Sequence, residues 1–185
     1  MSNNPYFDDA WGTLTLFDSQ ITTTSSGGPF QPGAVYYWRG GSNRNMSAMV
    51  MWVLLDNNGC SQGEVLVNDD GQTVSHGVRK ATTAEGDAPN FRGLAAATIA
   101  SNKFGFMIFR GYCEKADISQ TVASGELLAV SASVSGKLSN DKASSFWGAT
   151  LGLSSTVGTA PFVFAIARGA FATGVGSVQI IGTWG

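Results

Sequence analysis

This chain is poor in the residues that do chemistry. It has one histidine, His76, and two cysteines, Cys60 and Cys113. A Ser-His-Asp triad therefore has a single candidate base, and its Val-Ser-His-Gly surroundings read as a turn with no nucleophile motif nearby. Zinc needs clustered Cys and His, and these three residues are scattered. Two cysteines do not make a disulfide framework. Free buried thiols are the simplest state, and a single 60–113 bridge stays open at this level. The turn Asp56-Asn57-Asn58-Gly59 begins like a calcium loop, but Ser61 and Val67 stand where that loop needs Gly and Glu. No Gly-rich phosphate loop with a following Lys-Ser/Thr exists. Paired carboxylates are a spatial matter that a sequence leaves open, yet Asp8-Asp9 and Asp69-Asp70 read as loop and turn residues. The reading is of a protein that is not an enzyme and holds no cofactor and no metal.

Charge is also scarce. Asp, Glu, Lys and Arg make up 13% of the 185 residues, with 11 basic against 13 acidic side chains, where an ordinary soluble domain has about 25% charged residues. The basic residues are scattered and form no stripe that could release counterions from phosphates, which argues against nucleic acid. A surface with so few charges keeps a free monomer poorly soluble, and subunits covering one another would relieve that. The longest strongly apolar run, Met46 to Leu55, is about half of what a membrane helix requires. The N-terminus has neither a basic n-region nor an apolar h-region, so no secretory signal is expected and synthesis is expected in a cytoplasm.

What is present is turn-rich β sequence, with 24 glycines. Short apolar runs predict strands over 34–39, 47–55, 64–67, 94–100, 104–109, 127–134, 162–168 and 175–181; the 47–55 run is continuously apolar, as a strand buried on both faces would be, and 94–100, whose alanines also suit a helix, reads as a strand in a hairpin. Asp56-Asn57-Asn58-Gly59 and Asn68-Asp69-Asp70-Gly71 carry the Asn-Gly and Asp-Gly chemistry of tight hairpins. Residues 79–90 read as a polar loop. No stretch shows a clear helical period over three turns. The expected fold is all-β, a β-sandwich or small β-barrel over residues 34–185, preceded by an extended N-terminal arm and connector over 1–33. In that arm Tyr6, Phe7, Trp11 and Phe17 stand among Asn, Asp and Gly, and 21–33 is rich in Ser, Thr, Gly and Pro. Residues 11–21 could add one strand. The four aromatics are the candidate capsid or inter-subunit contacts; the alternative is that they close one end of the protein's own core.

The second half has a characteristic order of segments. A run ending in Phe109-Arg110-Gly111-Tyr112 is followed by Ala123-Ser124-Gly125-Glu126-Leu127-Leu128 and by Ser135-Gly136-Lys137-Leu138. Then come Ala165-Ile166-Ala167-Arg168-Gly169-Ala170-Phe171 and Gly176-Ser177-Val178-Gln179-Ile180-Ile181-Gly182. This order resembles the C-terminal domain of tailed-bacteriophage head decoration, or cement, proteins. The resemblance covers about half of the chain. It implies a virion structural protein on the capsid surface. Its partners would be the major capsid protein and further copies of itself, most often as homotrimers, with no nucleic acid and no membrane. A second reading, from a different class, is a carbohydrate- or receptor-binding module of a phage tail or tail fibre, in which Tyr36, Tyr37 and Trp38 would stack on sugars.

Overall fold

A computed structural model describes residues 7–8, 13–16, 18–27, 30–40, 46–69, 76–83, 87, 90–140 and 164–181. Among them the chain is almost entirely β, and the one helix is a single turn. The elements are β1 (Phe7–Asp8), β2 (Thr13–Leu16), α1 (Asp18–Ile21), β3 (Val35–Gly40), β4 (Met46–Leu55), β5 (Val65–Asn68), β6 (Gly77–Lys80) and β7 (Phe91–Ala95). They continue with β8 (Phe104–Ile118), β9 (Leu127–Val130), β10 (Leu138–Ser139), β11 (Ala165–Ala167) and β12 (Gly174–Ile180). The all-β expectation is met.

The pairings form two closed rings that share β8. The first runs β4–β6–β5–β7–β8 and returns to β4. The second runs β8–β10–β9–β11–β12 and returns to β8. Strand β8 can serve both because it is 15 residues long. Its first half lies against β4, from Phe104 opposite Leu54 to Gly111 opposite Ala48. Its second half lies against β12, from Gly111 opposite Ile180 to Ile118 opposite Gly174. Gly111 is thus the residue at which β8 passes from one ring to the other. Its φ is +96°, and a Cβ there would stand 2.6 Å from the Ser47 carbonyl oxygen. Only glycine takes up that conformation and that closeness without strain.

The side chains divide between two cores. Alternation along β4 sends Ala48, Val50 and Trp52 to the larger one, with Val53 and Leu55 in the smaller. The larger core also takes Phe106, Ile108, Ile118, Leu128, Leu138 and Val178. Leu66, Val78, Ala95, Ile99 and Met107 join Val53 and Leu55 within the first ring. An aromatic group crowds one side of the larger core: Phe30 meets Tyr36, Trp52 and Phe106 with ring centroids 5.5, 5.1 and 4.8 Å apart.

Several expectations change. Residues read as connector are tied into the domain. Leu16 and Ile21 are buried in the larger core, Phe30 packs on it, and Ser25 forms an antiparallel bridge with Phe104 through hydrogen bonds of 3.1 and 2.8 Å. The polar composition of 21–33 gave no sign of this, since the links are backbone hydrogen bonds and isolated apolar anchors. Strand β2 does arise within 11–21, parallel to β3, with Leu16 beside Trp38. The turn at Asp56–Gly59 is not a two-residue hairpin. Gly59 has φ +68°, but β4 pairs with β6 and β8 rather than with β5. Strand β6 begins inside what reads as a turn and runs into the expected polar loop, because Arg79 and Lys80 satisfy their charges on Asp87 and Glu64. The stretch 94–100 stops being strand at Ala95, after which Ile99 bridges Cys60.

Candidate functional site

The face of the sheet turned away from the larger core carries an open groove where the two rings meet. It has a volume of about 780 Å³ and runs across β3, β4, β8 and β12. Cross-strand register builds it. Tyr37 on β3 stands opposite Met49 on β4, and Met49 stands opposite Arg110 on β8. In the next row Tyr112 stands opposite Gln179 on β12. Arg168, just after β11, and Ile181, just after β12, complete the rim. Tyr37 is 43% exposed and Ile181 47%. Arg110 and Arg168 are exposed, and Met49, Tyr112 and Gln179 are half-buried.

The electrostatics of the groove are one-sided. Its described lining has two arginines and no acid. Ion pairs among the described residues include Arg79–Asp87, Lys80–Glu64 and Lys137–Asp117, and neither groove arginine takes part in these. The arrangement can hold carboxylates through the guanidinium forks while apolar groups lie against Tyr37, Met49 and Ile181. Tyr, Arg and Met are the side chains enriched where protein partners bury their anchors.

The candidate contact residues read from the sequence are not brought together here. Tyr6, Trp11 and Phe17 lie outside the described residues. Phe7 lies in β1 opposite Leu14, and its side chain is outside the description. Of the three aromatics that could stack on sugars, Tyr36 and Trp38 are turned inward at 9% and 6% exposure, and Tyr37 alone faces out. Sequence reasoning missed Arg110, Tyr112 and Arg168. One signal was available, the alternation that places Tyr37 on the face opposite Tyr36 and Trp38. The approach of Arg168 to Arg110 depends on the β8–β12 pairing, which sequence does not display.

The residues weighed for chemistry sit apart. His76 is exposed, with φ +71°, and its ring lies against Gly33, where a Cβ would come within 2.1 Å of Nε2. It lines a separate cavity of about 330 Å³ at the end of the first ring, with Met51, Val53, Met107, Phe109 and Arg92 among its walls. Cys60 and Cys113 are both buried and free. Burial pushes the Cys113 thiol up to about 12, outweighing a backbone hydrogen bond to Lys115 that acts the other way. Burial likewise raises Cys60 to about 11, against a backbone hydrogen bond to Ile99. Such thiols are poor nucleophiles at neutral pH. No group of three or more His, Cys, Asp or Glu placed to hold a metal ion occurs among the described residues. No helix among them is long and apolar enough to cross a membrane.

Comparison with known proteins adds no family: no protein-family model matches the chain, and no match is found among curated proteins.

Proposed function

We propose that this chain is a capsid decoration, or cement, protein: a virion structural protein that binds the assembled phage head and stabilises it. The observation that carries the reading is where the ordered segments fall. Ala123–Leu128 is a turn, with Gly125 at φ +85°, that leads into β9. Ser135–Leu138 is a second turn, with Gly136 at φ +74°, that leads into β10. Ala165–Phe171 holds β11, and Gly176–Ile181 holds most of β12. Of the five ordered segments, Phe109–Tyr112 lies in β8 itself, and the other four lead into or hold the four strands that close the second ring upon it. They behave as one structural unit, which a chance collection of turn residues would not be required to do.

The mechanism is mass action. A ligand that binds the assembled shell and not its free subunits stabilises the shell by its own binding free energy. Contacts to several capsid subunits add avidity, since each further contact is intramolecular once the first has formed. The major capsid protein and further copies of this chain are the partners in this reading, and the capsid surface is its place. The test is quantitative composition and a cryo-EM map of purified particles carrying the chain. Copy number on the scale of the capsid lattice, with density on the head, supports the proposal. A few copies confined to the tail would replace it with the tail-module reading, for which the outward Tyr37 remains the one aromatic of the three in position to meet a sugar.

A further inference from the structure

We propose that the groove between the two rings receives the acidic, aromatic N-terminal segment of a second copy of this chain, so that copies join head to tail. The inference deepens the decoration reading by naming a self-assembly contact, and it rests on that reading only for the biological use of the contact.

Charge complementarity is the first argument. Before Arg39 the chain carries Asp8, Asp9 and Asp18 and no Lys or Arg. The groove offers Arg110 and Arg168 with no acid in its described lining. Neither guanidinium has an ion pair or side-chain hydrogen bond among the described residues, so an incoming carboxylate displaces no existing partner. Apolar complementarity is the second argument. Tyr6, Phe7, Trp11 and Phe17 surround those aspartates in sequence. The groove presents exposed Tyr37 and Ile181 beside half-buried Met49 and Tyr112.

Strand order argues that the segment comes from another copy. The sheet runs β1–β2–β3–β4, and the groove lies on the β3–β4–β8–β12 side. Leu16 is anchored beside Trp38 on β3, and Phe7–Asp8 pairs with the far edge of β2. The chain's own residues 7–8 are therefore led away from its own groove. A contact that joins the segment of one copy to the groove of the next is heterologous. It closes into a ring when the rotation permits and otherwise propagates as a filament. A closed ring of three would give the trimer that the resemblance implies.

The test is a charge-swap pair in the full-length protein: Asp8→Arg with Asp9→Arg, and Arg110→Glu with Arg168→Glu. Self-association is followed by sedimentation velocity, with circular dichroism and melting temperature confirming that each variant is folded. The wild type should associate, more weakly as salt rises, because partly exposed charges are screened. Each swapped variant should associate at least about tenfold more weakly, about 1.4 kcal/mol. A chain carrying all four swaps should recover self-association, because its segment and groove are again complementary whatever the number of copies in the ring. A wild type that stays monomeric overturns the proposal. So does a folded four-swap chain that does not self-associate, which would mean that the segment folds onto its own groove. Particle binding measured on the same variants separates the two readings. Loss of self-association with retained head binding leaves the decoration function standing. Intact self-association with no head binding removes that function and leaves this contact.

Discussion

Replacing Asp87 by alanine should destabilise the domain more than any other single change at a charged residue described here. The carboxylate is 2% exposed. It accepts hydrogen bonds from Arg79 Nη1 at 3.0 Å and from Arg79 Nη2, and from the Thr82 backbone N–H and Thr82 Oγ1, the last at 2.8 Å. Together these tie β6 and the segment after it to one buried charge. Removing one partner of a buried pair costs about 3–5 kcal/mol, much of it from the partner left behind. Arg79 keeps 29% side-chain exposure and can rehydrate, so the low end applies, about 3 kcal/mol. In a domain of this size that is a fall of about 6–12 °C in melting temperature. Asp87→Asn keeps the volume and one acceptor, and should cost roughly half as much.

Acid supplies an independent check on the same pair. Burial works to raise the Asp87 pKa, but the Arg79 guanidinium and the two Thr82 donors overcome it and hold the carboxyl below its ordinary range. A lowered folded-state pKa gives stability that is present above the unfolded value of about 3.9 and is lost as pH falls through the folded value. The gap between wild type and Asp87→Ala should therefore be constant from neutral pH down to about 5, and close as pH falls below about 4. Thermal melts followed by circular dichroism across that range measure it. A loss below about 1 kcal/mol, or a gap that does not narrow in acid, would refute the argument.

Three further outcomes follow from the geometry. Ellman's reagent at pH 8 should leave Cys60 and Cys113 unmodified in the native protein and titrate both thiols after denaturation, since burial raises their pKa to about 11 and about 12; rapid native labelling of either would contradict their burial. Gly111→Ala should cost at least about 2 kcal/mol, because φ +96° and a 2.6 Å approach to the Ser47 carbonyl oxygen both oppose a Cβ; an unchanged melting temperature would show that β8 can straighten. Leu16→Ala should cost about 2–5 kcal/mol, since Leu16 is 0% exposed in the larger core, whereas deletion of residues 2–12 should leave the domain folded; loss of folding on that deletion would place the early aromatics in the protein's own core.

The legible part of this fold is the part governed by local alternation. Strands β3, β9 and β12 lie within a residue or two of where period-two patterning starts them, since each buries one face against the larger core, and β4 starts within a residue of its continuous apolar run, since it buries side chains in both cores. Legibility ends where alternation breaks. The apolar pattern marks β8 only as far as Phe109, but the strand continues to Ile118. Its pairing with β4 shifts register at Met49/Val50 and that with β12 at Gly176/Val178, and each bulge turns the pattern over. Strand β6 was hidden because half of its four residues are Arg79 and Lys80, whose charges are answered by residues distant in sequence.

The groove was hidden for a related reason, and it shows what kind of site sequence reading loses. Each of its parts is unremarkable alone: a tyrosine in a strand, an arginine before a glycine, another arginine before a second glycine. Arg110 and Arg168 become neighbours only because β8 and β12 pair across the junction of the two rings, with Gly111 opposite Ile180. The same glycine whose positive φ lets β8 change rings therefore also sets Arg110 and Tyr112 on either side of it along the groove floor. Ring closure and the candidate binding surface thus depend on one backbone conformation. A substitution at Gly111 should disturb both together, while substitutions at Arg110 or Arg168, exposed and without ion-pair partners among the described residues, should disturb the surface and leave the fold intact.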